Sequence, residues 1–190
     1  NIIPSAIPAA PTGSHAVPTE HPRLLGSRAR LQDLAQRQPR VYERVEQVAR
    51  GEDADEPAKI VSLSLVSAIE QDRALGRQAI ELAGRTIRAP IKTGHDTFGH
   101  DLARCAIVYD LCHEYWTEEE RAAFHDYMNR TVDANVNSET HVFHNAWYGY
   151  KNWGIGLACY ATFYENPRAV EILRTLEQDY LTRAAPALEL

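Results

Sequence analysis

No stretch of this sequence holds the roughly 18 uninterrupted apolar residues that a membrane-crossing helix needs. Basic excess is missing as well. Twenty Lys and Arg stand against 26 Asp and Glu, a formal net charge of −6, so the basic face of a nucleic-acid binder is not expected. An acidic ligand must then meet a local patch of Lys, Arg and His. Cysteine is scarce, at three, an odd number that makes a poor disulfide framework. Cys105 and Cys112 fall in one expected helix, where a rise of about 1.5 Å per residue leaves their Cα atoms roughly 10 Å apart, beyond disulfide reach. No Cys-x-x-Cys pair supports a zinc site, so with Cys159 they read as small core residues. The sequence also has no P-loop, no dinucleotide-binding glycine fingerprint and no G-x-S-x-G elbow.

What is present is a chain of 190 residues with 44% apolar and 24% charged content, the size and balance of one globular domain. Residues 1–22 hold five of the ten prolines and read as an extended arm. The chain opens on Asn1 without a charged, then apolar, leader, as a mature chain does after signal removal, and a secreted or periplasmic location is expected.

From residue 23 to 190 the pattern is helical, without strand alternation. Ser27 is a cap for a helix ending before Pro39, and Val41, Val45 and Val48 form the stripe of a second, closed by Gly51. Pro57 opens a third helix, apolar nearly all round and so expected to be buried. Asp72 caps a fourth, with Leu75, Ala79, Leu82 and Ala83 inward. A polar loop, 93–100, precedes an apolar helix from Leu102 to Tyr115. Thr117 and Glu120 make a capping box for the next helix. A second polar loop, 135–141, leads to an aromatic helix from about Phe143 to Tyr164. Asn166-Pro167 starts the last one, with Val170, Leu173, Leu176 and Tyr180 inward. The fold expected is all-α, antiparallel helical hairpins alternating buried with amphipathic members, as in a solenoid or an (α/α) toroid. Four hairpins do not close a toroid, so a continuation beyond the chain end is expected.

Half of the sixteen aromatic residues lie between Phe143 and Tyr164, where Lys151 is the only charge. On one helix His144, Asn145, Tyr148, Lys151 and Asn152 share a face, while Trp147, Tyr150, Gly154, Leu157 and Ala161 share another. A polar stripe on a buried aromatic helix is costly unless it is partnered or faces a cleft. It either hydrogen-bonds neighbouring helix ends, with the aromatics as plain core, or forms a sugar site. In the second reading aromatic faces stack on pyranose rings while Asn, His and Lys hold a carboxylate. His95, Asp96, His100 and Asp101 cluster at a spacing that suits a hydrogen-bonded cap more than a metal. His113 and His125 sit among charged neighbours and read as solvated. Asp110, inside an apolar helix, reads as a hydrogen-bonded structural residue.

His21-Pro22-Arg23-Leu24-Leu25 after a proline-rich start resembles the opening of heparinase II/III-like polysaccharide lyases. Similar to that family too are Ile107-Val108-Tyr109-Asp110-Leu111, the following Trp116-Thr117-Glu118-Glu119-Glu120-Arg121, and His144-Asn145-Ala146-Trp147 through Asn152-Trp153-Gly154. The resemblance spans His21 to Leu190. It implies an incomplete (α/α) toroid followed by β-sandwich domains, and β-elimination on a uronate-containing polymer such as a glycosaminoglycan or alginate. It implies His144, Asn145 and Tyr148 as catalytic residues, Asn and His neutralising the substrate carboxylate. Trp147, Lys151, Asn152, His95 and His100 are the expected substrate-binding residues. The family pair is often ordered Asn-His, and here the order is His144-Asn145. The implied partners are an acidic polysaccharide and the rest of the same protein, with no nucleic acid and no membrane. No cofactor is expected in this segment, although a structural metal in a missing C-terminal domain fits the family. An α/α-barrel glycoside hydrolase, which needs two carboxylates across a cleft, is the rival reading, with Asp96, Asp101 and Asp110 available. A non-catalytic helical scaffold or sugar-binding module is the third.

Overall fold

Local signals start most of the helices. The computed structural model describes residues 17–51, 54–93, 97–135 and 152–188. Ser27 accepts from the Arg30 amide at 3.4 Å and opens α1, Arg28–Arg37. Pro39 opens α2, Pro39–Arg50, and Pro57 sits in the first turn of α3, Glu56–Glu70. Asp72 accepts from the amides of Ala74 and Leu75 at the head of α4, Arg73–Arg88. Helix α5, Thr97–Leu111, runs into a single 3₁₀ turn, His113–Tyr115. The capping box then forms in full: Thr117 Oγ1 accepts from the Glu120 amide at 3.2 Å and Glu120 accepts from the Thr117 amide at 2.9 Å, opening α6, Glu118–Asn135. Helix α7 covers Trp153–Ala161. Helix α8, Ala169–Asp179, passes through a π-type turn, Tyr180–Ala184, into Ala185–Leu188. No strand occurs among the described residues.

Packing divides the helices into two sets. Helices α1, α3, α5 and α7 touch one another in succession, and each also touches its chain neighbours. Among the even-numbered helices α4 meets α6. Helices α3, α5 and α7 are therefore the more enclosed ones, which matches their apolar composition, while α1 at the end of the row buries only Leu31. Helix α5 buries Phe98, Leu102, Cys105, Val108, Tyr109 and Leu111 almost completely, and α3 buries Ile60, Leu63 and Val66. At about 1.5–3 kcal/mol for each large apolar side chain removed from water, this row is the main source of stability. Helices α2 and α4 show water one face only, as amphipathic helices do. Two residues, Gln71 and Asp72, join α3 to α4, and so short a link makes these contacting helices run in opposite directions.

The tightest helix pair is α5 with α7. A Cβ built on Gly154 would lie 2.2 Å from the carbonyl oxygen of Gly99, so the two backbones are in direct contact. Gly154 is glycine because no side chain fits there.

Several local expectations change. Residues 97–100 belong to α5 rather than to the preceding loop. Val41 is 48% exposed and Ala49 is the buried residue of α2, because α2 presents the face of Tyr42, Val45 and Ala49 to the core. Tyr180 is 46% exposed where the π-type turn begins. Of the expected helix from Phe143 to Tyr164, the described part begins with a π-type residue at Asn152, is α-helical over Trp153–Ala161 and closes in a turn at 162–165. The three cysteines are free and buried, as expected, and burial pushes each thiol up to about 12, so they stay protonated and inert.

Candidate functional site

Two groupings of polar and aromatic residues stand out. The first lies where the N-terminal segment crosses the end of α5 and the turn after α7. Asp110, in the last turn of α5, has a side chain with no exposure to water. It accepts from the backbone amides of Arg23 at 2.9 Å and Leu24 at 2.8 Å, and from His21 Nδ1 at 2.6 Å. Three N–H groups offset the cost of burying this carboxylate. The structural role expected for Asp110 is thus the one observed.

His21 reaches Glu165 through its other nitrogen, Nε2 to Oε1 at 3.2 Å. Arg23 Nη2 also faces His21 Nε2, at 2.7 Å, and bonds Glu165 at 3.0 Å. These two contacts of Nε2 belong to different protonation states. A neutral ring with its proton on Nδ1 accepts from Arg23, whereas a protonated ring donates to Glu165. Burial pulls the His21 pKa down, but the bonds to Asp110 and Glu165 and the Asp110 charge outweigh it and leave it above the ordinary value. Burial pushes Glu165 up, yet the bonds and charges of His21 and Arg23 bring it down to about 2.

His113, three residues after Asp110, stacks on His21 with centroids 3.8 Å apart and planes 9° from parallel. Burial, followed by the neighbouring His21 charge, lowers its pKa to about 4. Its Nε2 is buried without a hydrogen-bond partner, as is Glu165 Oε2. His125 bonds the buried Tyr109 hydroxyl at 3.1 Å. The expectation that His113 and His125 are solvated is therefore corrected: both are half-buried against Tyr109, because their helix faces turn toward the N-terminal segment and α5. A cleft of about 380 Å³ opens beside this cluster, lined in part by Glu20, His21, Arg28, His113, Glu114 and Glu165.

The second grouping sits at the other end of the α5–α7 pair. The Gly99–Gly154 contact brings the first turns of the two helices together. There the His100 ring meets the Trp153 ring edge to face, centroids 5.8 Å apart. Trp153 is 44% exposed, and Asn152 beside it is half-buried. Tyr160, seven residues along α7, is also exposed.

Of the sequence-expected site residues, His100 thus meets Trp153, and Asn152 precedes Trp153 in the chain. His95, His144, Asn145, Trp147, Tyr148 and Lys151 lie outside the described residues. Asp96 is outside them as well, while Asp101 is buried and ion-paired with Lys92 and Arg104. The His21 cluster was missed as a site. Its signal was the i, i+3 pair Asp110 and His113 together with a His-Pro-Arg segment, readable only once their juxtaposition is known.

Compared with protein-family models, curated proteins and solved structures, the chain matches none.

Proposed function

We propose that this chain is the helical part of an enzyme that cleaves uronate-containing polysaccharide by β-elimination, with its helical hairpins forming part of an incomplete (α/α) toroid. The observation that carries the reading is the exposed Trp153 set against His100 at the head of α7, next to Asn152 in the chain. An exposed indole with polar neighbours suits a pyranose ring, whose axial C–H face is apolar and whose rim is polar. The two-set packing, with α1, α3, α5 and α7 in contact in succession and α3, α5 and α7 enclosed, is the arrangement that stacked hairpins need.

In this reading Asn145 and His144 neutralise the substrate carboxylate, so that the C5 proton becomes acidic. A tyrosine or histidine base removes that proton, a double bond forms to C4, and the C4–O bond breaks with a proton delivered to the leaving oxygen. Tyr148 is the local candidate for the proton-transfer role. Glycoside hydrolysis is less well supported, since its two carboxylates must be free to exchange protons. Asp110 is saturated by three donors and Asp101 by two cations.

Calorimetric titration of the chain with an acidic oligouronate and with a neutral oligosaccharide of equal length tests this reading. Preference for the acidic sugar, with at least a tenfold loss of affinity in Trp153→Ala, is the expected result. Unchanged binding by Trp153→Ala would make the α7 aromatics a packing edge and remove the observation on which the proposal rests.

A further inference from the structure

Three side chains that are remote in sequence converge on the cleft beside α5: His21 from the N-terminal segment, His113 from the 3₁₀ turn, and Glu165 from the turn after α7. One ligand-type atom from each lies within 4.8 Å of the others. We propose that these three side chains form a binding site for one divalent transition-metal ion of the zinc class, independent of the sugar site.

Three observations support it. Asp110 accepts from His21 Nδ1 at 2.6 Å, which keeps a proton on that nitrogen, so that in the neutral ring the Nε2 lone pair faces Glu165. This carboxylate–histidine relay is the usual support behind a metal-bound imidazole. His113 Nε2 and Glu165 Oε2 are buried without partners, and such vacant acceptors in a polar cleft are costly unless something binds them. Two imidazoles and one carboxylate are also a set that zinc accepts, leaving a fourth position toward the cleft. Magnesium and calcium prefer all-oxygen surroundings and are disfavoured here.

Zinc bonds of about 2.1 Å in a tetrahedron place donor atoms about 3.4 Å apart, so the three atoms must close by up to about 1.4 Å and the stacked His21 and His113 rings must rotate until both lone pairs meet the ion. Arg23 Nη2, 2.7 Å from His21 Nε2 and 3.0 Å from Glu165 Oε1, sits where positive charge is wanted. The ion displaces Arg23 Nη2 from both, and because the same nitrogen donates to the Thr19 carbonyl, the guanidinium must shift along the face of the Tyr164 ring to make room. Bound metal would join the N-terminal segment to two turns of the helical body. Its stabilisation would then scale with metal concentration over the dissociation constant.

The test is calorimetric titration of the chelator-stripped 190-residue chain with zinc chloride, alongside melting curves with and without zinc and the visible spectrum with cobalt. One ion per chain is expected, with a higher melting temperature and a four-coordinate cobalt spectrum. His113→Ala and Glu165→Gln should each weaken zinc at least tenfold, while His125→Ala, the adjacent histidine outside the set, should bind as the parent does. Glu165 lies in a turn, so Glu165→Gln remains informative if His113→Ala folds poorly. Absence of zinc binding, or undiminished affinity in Glu165→Gln or in a folded His113→Ala, would overturn the proposal. Equal loss in His125→Ala would do so too.

Discussion

His21 and Asp110 are 89 residues apart and meet at 2.6 Å, Nδ1 against Oδ1, with the Asp110 carboxylate wholly shielded from water. This one contact fixes the N-terminal segment to the end of α5 and sets which nitrogen of His21 faces Glu165. The two backbone amides that share the carboxylate make Asp110 the anchor of the crossing. Asp110→Asn keeps the shape but turns an amide N–H₂ toward donors, leaving buried groups unpaired. The expected cost is about 3 kcal/mol or more, read as a lower denaturant midpoint with an unchanged slope. A loss under about 0.5 kcal/mol, the range of ordinary surface substitutions, would mean that the N-terminal segment is not held in this way.

Gly154→Ala tests the α5–α7 contact. The new methyl group would meet the Gly99 carbonyl at 2.2 Å, and a rigid backbone cannot yield as a flexible side chain does. Destabilisation of about 2–3 kcal/mol is expected, against the gain of several tenths that Gly→Ala gives on an unobstructed helix. Gly156, with nothing within 4 Å of an added Cβ, is the internal control: Gly156→Ala should be neutral or stabilising. Equal effects at the two positions would contradict the packing described.

Arg77 and Glu120 form a bidentate pair at 2.7 and 2.8 Å between α4 and the capping box of α6. The Arg77 bonds, against a smaller opposing effect of burial, hold the Glu120 carboxyl down to about 2. Because the folded pKa lies below the unfolded one, the unfolded state binds the extra proton. The pair's contribution is therefore present above about pH 4.5 and disappears as pH falls toward about 2. Both side chains are partly exposed, so the contribution is modest. Parent and Glu120→Gln melting temperatures should differ at neutral pH and converge in acid, a comparison that cancels the titration of other carboxylates. A difference that stays constant down to about pH 2 would contradict the ion pair.

Much of the fold was legible because its signals are local. Ser27, Asp72 and the Thr117–Glu120 box start helices through hydrogen bonds spanning two or three residues, so sequence spacing alone identifies them. The all-round apolar character of 60–69 similarly foretold that α3 lies in the enclosed row. Burial of His113 and His125 was not legible, since their neighbours Glu114, Arg121 and Asp126 mark a wet surface. What covers these rings is the N-terminal segment and Tyr109, contacts that local sequence does not encode. Val41 failed for a related reason. Three valines at helical spacing define a stripe, but the partner α3 selects the face, and it takes Val45 and Ala49 instead. Of the candidate sugar-binding residues, His100 and Asn152 were named from the sequence; Trp153, whose ring meets His100, was not assigned to the site.

The most direct measurement of the central claim is the product formed from a uronate polymer by the protein carrying this chain, followed in the ultraviolet while reducing ends are counted. β-Elimination makes an unsaturated, ultraviolet-absorbing end for every chain cleaved, and Asn145→Ala should lower that rate by about two orders of magnitude while leaving the melting curve in place. New reducing ends without ultraviolet absorbance would show a hydrolase. An Asn145→Ala protein that melts far earlier yet keeps its rate per folded molecule would show that the polar stripe is structural.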